Sequence, residues 1–145
     1  MALLESDKAG DEAKDHLINA WLTRYKDRKT TVISLGEAVG HPKREFAIED
    51  LFPDDWYLKL VNEAYKKELQ ISGTKLPTLK GKDQVCKRVE RALQESGITF
   101  NKGRVAKLLR RELSTAKNIS DVPKETAEMA RKLIGALSAA LPGEL

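Results

Sequence analysis

The chain has 145 residues, 41% apolar and 33% charged, with a net charge of +4 and a pI near 9.1. That suits a single, highly charged folded domain rather than a disordered chain, and the positive balance permits nucleic-acid binding without establishing it. No apolar run approaches bilayer-spanning length, no secretory signal is expected, and the single cysteine, Cys86, excludes an internal disulfide framework or cysteine-rich zinc site, so a cytoplasmic protein without a membrane partner is expected.

The first element is Ala2–Leu4, an apolar run that breaks abruptly into the acids Glu5 and Asp7. It suits a buried strand, although so short a run cannot be told from a helix by pattern alone. On a strand, Glu5 and Asp7 would share one face. Gly10 then loosens the backbone, and a helical pattern is expected from Asp11. Two carboxylates at a strand end form a plausible hard-cation site, since Mg²⁺ takes oxygen ligands and keeps several waters beside one or two carboxylates. The alternative is a solvated strand end with ordinary surface acids.

This stretch resembles the acidic strand-end motif of TOPRIM domains, Asp-x-Asp-x-x-Gly after an apolar strand. The form most like it, Leu-Leu-Asp-Ser-Asp-Lys-Ala-Gly, belongs to nucleases of the OLD (overcoming lysogenization defect) family. Here the first acid is Glu5 rather than Asp. The resemblance implies that Glu5 and Asp7 ligate Mg²⁺ or Mn²⁺. Complete TOPRIM domains carry a preceding strand–helix–strand portion whose first strand ends in a glutamate. The chain is therefore expected to be the back half of such a domain with a C-terminal extension. The rest of the domain, or an ATPase-bearing portion, would lie in the same gene or in a separate subunit.

Residues 11–27 read as a helix, with Ala13, Leu17, Ala20, Trp21 and Arg24 on one face and Ile18, Leu22 and Tyr25 beside it. His16 and His41 have no partner at metal-ligand spacing and read as surface residues. Residues 30–35 are β-branched and short, as a strand requires. Strand, helix, strand in this order is one βαβ unit with parallel strands. Functional loops gather at the carboxyl ends of such strands, which places Gly36, Glu37 and the loop through Glu45 beside Glu5 and Asp7.

Next comes Glu45 through Tyr57, in which Phe46, Ile48, Leu51 and Phe52 anchor a short segment while Glu49 and Asp50 face a cleft. Pro53 suits the first turn of a following helix, with Asp54 and Asp55 near its positive end. The plain alternative is a helix start with acids placed for the dipole. OLD-family nucleases carry a close match: Ile-Glu-Asp-Leu-Phe, a proline, acids, then an aromatic-led helix. The resemblance implies that Glu49, with Asp50, completes the second metal site.

A helix is expected near 54–70, its buried side marked by Trp56, Leu60, Val61, Ala64 and Tyr65. Residues 72–82 form a linker broken by Gly73, Pro77 and Gly81, and Gly81–Lys82 is not a P-loop. An amphipathic helix follows near 83–96, capped by Asp83, striped by Val85, Val89 and Leu93 with Cys86 and Ala92, and stopped by Gly97. Asn101 is a good N-cap for a helix near 102–113, where Val105, Leu108, Leu109 and Leu113 face inward. Lys102, Arg104, Lys107, Arg110 and Arg111 make that helix basic. Its N-terminus with Lys102 would favour a phosphate. In the OLD family a lysine at this place contributes to the nuclease site, so Lys102 and Glu49 are the implied catalytic pair. Lys8, Arg104 and Lys107 are the expected contacts to DNA. A last helix near 123–141 opens at Pro123, with Ala127, Ala130, Leu133, Ile134, Leu137 and Leu141 inward and Pro142–Gly143 ending it.

The expected fold is α/β and helix-dominated: a partial TOPRIM βαβ unit over 1–52 with two short parallel strands, then a helical extension over 53–145. The resemblance implies a C-terminal TOPRIM segment of a phage-defence type, metal-dependent DNA endonuclease that hydrolyses phosphodiesters with two metals. Without the first strand and its glutamate, the chain alone is expected to cleave weakly or not at all. The alternatives are a non-enzymatic DNA-binding module, in which the helix pair 83–113 acts like a helix–turn–helix and Arg104, Lys107 or Arg110 reads bases, and an interaction subunit that completes a partner's sheet.

Overall fold

A computed structural model describes residues 1–22, 32–42, 45–75 and 79–141. The two expected strands form one sheet. β1 (Ala2–Leu4) and β2 (Val32–Ser34) run parallel, with Ala2 opposite Val32, Leu3 opposite Ile33 and Leu4 opposite Ser34. α1 (Lys8–His16) follows β1 and continues into a wider π-type turn over Leu17–Leu22, while α2 (Leu35–Val39) follows β2 directly. The later helices are α3 (Asp54–Ala64), α4 (Lys66–Ser72), α5 (Val85–Gln94), α6 (Lys102–Thr115) and α7 (Lys124–Ala140). Short 3-10 turns cover Ile48–Leu51 and Ile119–Asp121. Arg24, Tyr25, Asp27, Thr30, Pro77, Pro142, Gly143 and the side chains of Trp21 and Leu22 lie outside the described residues. The chain divides into two compact units, Met1–Ile48 with Glu128–Leu145, and Glu49–Ala127.

In the first unit the chain around Ser6 is held by backbone on two sides. Ser6 and Phe46 exchange amide-to-carbonyl bonds at 2.9 and 2.7 Å, and the Gly36 amide donates to Ser6 Oγ at 2.8 Å. Asp7 is the N-cap of α1, its carboxylate accepting from the Gly10 amide at 2.8 Å. The helix therefore begins at Lys8 rather than Asp11, because a capped first turn is available as soon as the chain leaves β1. Gly10 does not loosen the backbone. It sits inside that first turn, where a Cβ would lie 1.9 Å from the Glu5 carbonyl oxygen. A Cβ at Gly36 would meet Ser6 Oγ at 2.8 Å and the His41 carbonyl oxygen at 2.9 Å. Both helices start against the end of β1 only because these two positions carry no side chain.

The second unit is built on Tyr57, Leu60, Val61 and Ala64 of α3, one turn-spaced stripe, packed with Val85, Val89 and Leu93 of α5 and Val105 of α6. The stripe is led by Tyr57 rather than Trp56, which is only partly buried and stacks on Phe52 at 5.0 Å between ring centroids. The helix expected over 54–70 breaks at Tyr65, whose φ of −111° and ψ of 18° separate α3 from α4. There the buried Tyr65 hydroxyl accepts from the Asn101 amide at 2.6 Å. Asp83 does not cap α5. The N-cap is Gln84, and Asp83 pairs with Arg91 at 2.5 Å. α6 begins as expected, with the Asn101 side chain accepting from the Arg104 amide at 3.2 Å, but Leu113 remains 39% exposed.

α7 corrects two expectations. Ala127 is buried, but Ile134 is 62% and Leu141 55% exposed. Its C-terminal half is apolar on several faces, so spacing alone does not select which one packs. Among the described residues no helix is long and apolar enough to cross a membrane.

Candidate functional site

The acidic turn Ile48–Leu51 departs from its expected orientation. Phe46, Leu51 and Phe52 are buried as expected, but Ile48 is 42% exposed, while Glu49 and Asp50 keep only 4% and 7% of their surface. Acids go inside only when partners replace water, and both have them. Asp50 Oδ1 accepts from the Val85 amide at 2.9 Å and so caps α5 from a distant turn. Glu49 Oε2 lies 3.1 Å from Lys102 Nζ, the first residue of α6. The two residues implied as catalytic are thus an ion pair, with the Glu49 side chain 5% and the Lys102 side chain 47% exposed.

The approach is poorly aligned for hydrogen bonding. Glu49 Oε2 has charge compensation but no hydrogen bond among the described residues. The missing hydrogen bond is a cost that an aligned donor would relieve. Two further groups lie in the field of this pair. The Tyr57 hydroxyl and Cys86 Sγ are 3.5 Å apart. Burial holds the Tyr57 hydroxyl well above its ordinary range, helped by the Cys86 contact and by the negative charges of Glu49 and Asp50. Burial likewise pushes the Cys86 thiol up to about 11, where Glu49 and Asp50 raise it and Tyr57 and Lys102 pull it down. Sequence reasoning missed Tyr57 as part of this group. The signal was its place, with Leu60, Val61 and Ala64, on the true apolar stripe of α3.

Lys102 owes its position to three constraints. Tyr65 holds the Asn101 backbone, the Asn101 side chain caps α6, and Val105 seats the first turn in the core. Glu49 is positioned by the buried residues that follow it and by the Asp50–Val85 bond.

Glu5 and Asp7 belong to the first unit. The shared strand face expected for them does not form, because β1 ends at Leu4 and Asp7 caps a helix. Glu5 Oε1 accepts from the Ile48 amide at 3.3 Å. Asp7 lines a cavity of about 490 Å³ together with Ser6, Asp11, Ser34, Glu37 and Glu45, so the segments after the two strands share one side; they are the helices α1 and α2 rather than the expected loop from Gly36, and Glu5 is not among the lining residues. Lys8 lines the same cavity and pairs with Glu12 at 3.7 Å.

Among the described residues no group of three or more His, Cys, Asp or Glu is placed to hold one metal ion. The donors themselves fit a hard cation. They are carboxylates, one with a buried oxygen that is ion-paired but not hydrogen-bonded, and Mg²⁺ is commonly held by one or two carboxylates with substrate phosphates and water completing its shell.

The basic residues of α6 separate into two sets. Arg104 donates to both Glu68 oxygens at 2.5 and 3.2 Å and lies 4.5 Å above the Tyr65 ring. The Glu68 carboxyl is held below its ordinary range, first by this bond. Arg111 pairs with Glu63 at 2.6 Å. Lys107 and Arg110 are exposed and enter no ion pair among the described residues.

Comparison with protein-family models, curated proteins and solved structures finds no match.

Proposed function

We propose that the chain is the C-terminal TOPRIM segment of an OLD-like, Mg²⁺- or Mn²⁺-dependent DNA endonuclease. The observation that carries this reading is the ion pair between the buried Glu49 and Lys102, two residues that the resemblance singled out and that are distant in sequence. The parallel βαβ order and the gathering of Asp7, Glu37 and Glu45 on one cavity support it.

In this reading Glu5 and Asp7 ligate one cation, and Glu49, with Asp50 adjoining, contributes to a second. The bound metals would supply an activated water and Lewis-acid stabilisation of the phosphate oxygens. The reaction joins a water oxygen to phosphorus, breaks one phosphorus–oxygen ester bond and returns a proton to the leaving oxygen. Lys102 places a positive charge where negative charge develops on the phosphate. Glu49 holds that ammonium in place through the ion pair. A second portion of the enzyme, in the same gene or a separate subunit, completes the active form.

The reading of residues 83–113 as a base-reading helix pair is weakened by Arg104, which is occupied by Glu68 and Tyr65.

The test is calorimetric titration of the full chain with Mn²⁺, comparing wild type with Asp7→Asn and Glu49→Gln. Loss or weakening of one of the two cation sites is expected in each variant. Equal binding by all three proteins would overturn the assignment.

A further inference from the structure

The ion pairs of α6 determine which of its cations remain available to a partner. Five basic residues lie between positions 102 and 111. Arg104 is fixed by Glu68 and Arg111 by Glu63, so both charges are spent holding α6 to the acids of α3 and α4. Lys107 and Arg110 are exposed and without an ion pair among the described residues.

At 100° per residue, Lys102, Lys107 and Arg110 fall within one sector of about 140°, over roughly 12 Å of helix axis. Gly103 and Ala106 are the other exposed residues of that sector. The result is a smooth face with Lys107 and Arg110 outside any ion pair among the described residues, beside Lys102, whose charge is shared with Glu49, and no bulky side chain between them. A nucleic-acid strand presents a phosphate about every 3.4 Å of duplex axis, so several phosphates can lie along this face. A membrane-binding helix would need several large apolar residues beside its cations; between positions 102 and 110 this sector has none, and Leu113, one turn past Arg110 and 39% exposed, is a single one.

We infer that the Lys107–Arg110 face of α6, continuous with Lys102, is a sequence-independent docking surface for the phosphate backbone of a nucleic acid, and that Arg104 and Arg111 are structural. This deepens the nuclease reading and rests on it for the choice of polyanion. The face carries cations but no Asn or Gln, so it offers phosphate contacts without a mixed base-reading set, and the comparison of unrelated duplexes tests that.

The experiment measures fluorescence anisotropy of a labelled duplex of about 30 base pairs with the full chain, across a salt series. Wild type, Lys107→Ala/Arg110→Ala and Arg104→Ala are compared, with circular dichroism to verify folding. Wild type should bind unrelated duplexes alike. The double variant should lower the slope of log K against log salt by about 2 and weaken binding roughly 60-fold near about 0.1 M salt. Arg104→Ala should leave the slope unchanged. An unchanged slope in the double variant, no duplex binding by wild type, or stronger binding to phosphatidylserine vesicles or polyglutamate than to the duplex would each overturn the inference.

Cleavage plays no part in this readout, so the two proposals can fail separately. If duplex binding follows Lys107 and Arg110 while Asp7→Asn and Glu49→Gln bind Mn²⁺ like wild type, the surface stands and the nuclease reading falls. If Mn²⁺ binding follows Asp7 and Glu49 while duplex binding ignores Lys107 and Arg110, the surface falls and the nuclease reading stands.

Discussion

Asp50 Oδ1 accepts a hydrogen bond from the Val85 amide at 2.9 Å and thereby caps α5, a helix that starts 35 residues later in the chain. The N-cap residue itself, Gln84, makes no side-chain cap bond. Asp50 therefore supplies what Asp83 was expected to supply. Asp50→Ala should destabilise the metal-free protein by about 1–3 kcal/mol, because a buried amide loses its acceptor as well as a charge near a helix N-terminus. Urea unfolding in the presence of a chelator measures this. A wild-type midpoint in Asp50→Ala would show that the carboxylate has no structural role.

Two glycine substitutions should act in opposite directions. Gly10→Ala puts a methyl carbon 1.9 Å from the Glu5 carbonyl oxygen, a backbone atom that cannot swing aside as a side chain would. It should cost at least the roughly 1–3 kcal/mol of an overpacked core. Gly135 lies inside α7 with nothing within 4 Å of the added carbon. Gly135→Ala should stabilise by about 0.5–1 kcal/mol, since it restricts the unfolded chain at no steric cost. Thermal melts of the two variants check the signs.

Arg88 provides a third check. Its side chain is 4% exposed and holds Asp54 through two bonds at 2.5 and 2.7 Å, tying α5 to the start of α3. Asp54→Ala strands a buried guanidinium. The penalty should be about 1–3 kcal/mol, below that of a fully buried pair because Asp54 is half exposed. Adding Arg88→Met should recover most of it, since the uncompensated charge is then gone. A double variant less stable than Asp54→Ala would mean that Arg88 contributes chiefly through its bond to the Asp83 carbonyl at 2.9 Å.

Cys86 can report on the Glu49–Lys102 pair. Its thiol is raised to about 11, so the thiolate is scarce at neutral pH and alkylation should be slow, accelerating as pH rises toward that value. Glu49→Gln removes a negative charge that raises the thiol and should speed alkylation at about pH 8. Lys102→Met removes a charge that lowers it and should slow alkylation further. The linkage has one sign. The folded state holds its proton more tightly than the unfolded state, so this group's contribution to stability is present below the ordinary thiol range and is lost as pH rises through about 11. Iodoacetamide modification followed by mass spectrometry measures the rates, and identical rates in all three proteins would separate Cys86 from the pair.

Local sequence was sufficient wherever a rule acts within one or two turns. The apolar run Ala2–Leu4 and the β-branched run expected over 30–35 formed the two parallel strands, the second ending at Ser34 because Leu35 opens α2. The stripe of Val85, Val89 and Leu93 named the buried face of α5, and Asn101 marked the start of α6. Those outcomes follow from side-chain periodicity and from capping by a neighbouring residue, both properties of adjacent positions. Tertiary structure decided the rest. It broke the helix at Tyr65 so that this side chain could hold Asn101, turned Ile48 outward and the two following acids inward, and divided the cations of α6 into paired and unpaired sets. Each of these depends on which distant group arrives to replace water around a polar atom or to exclude a side chain, and spacing along the chain carries no record of that arrival.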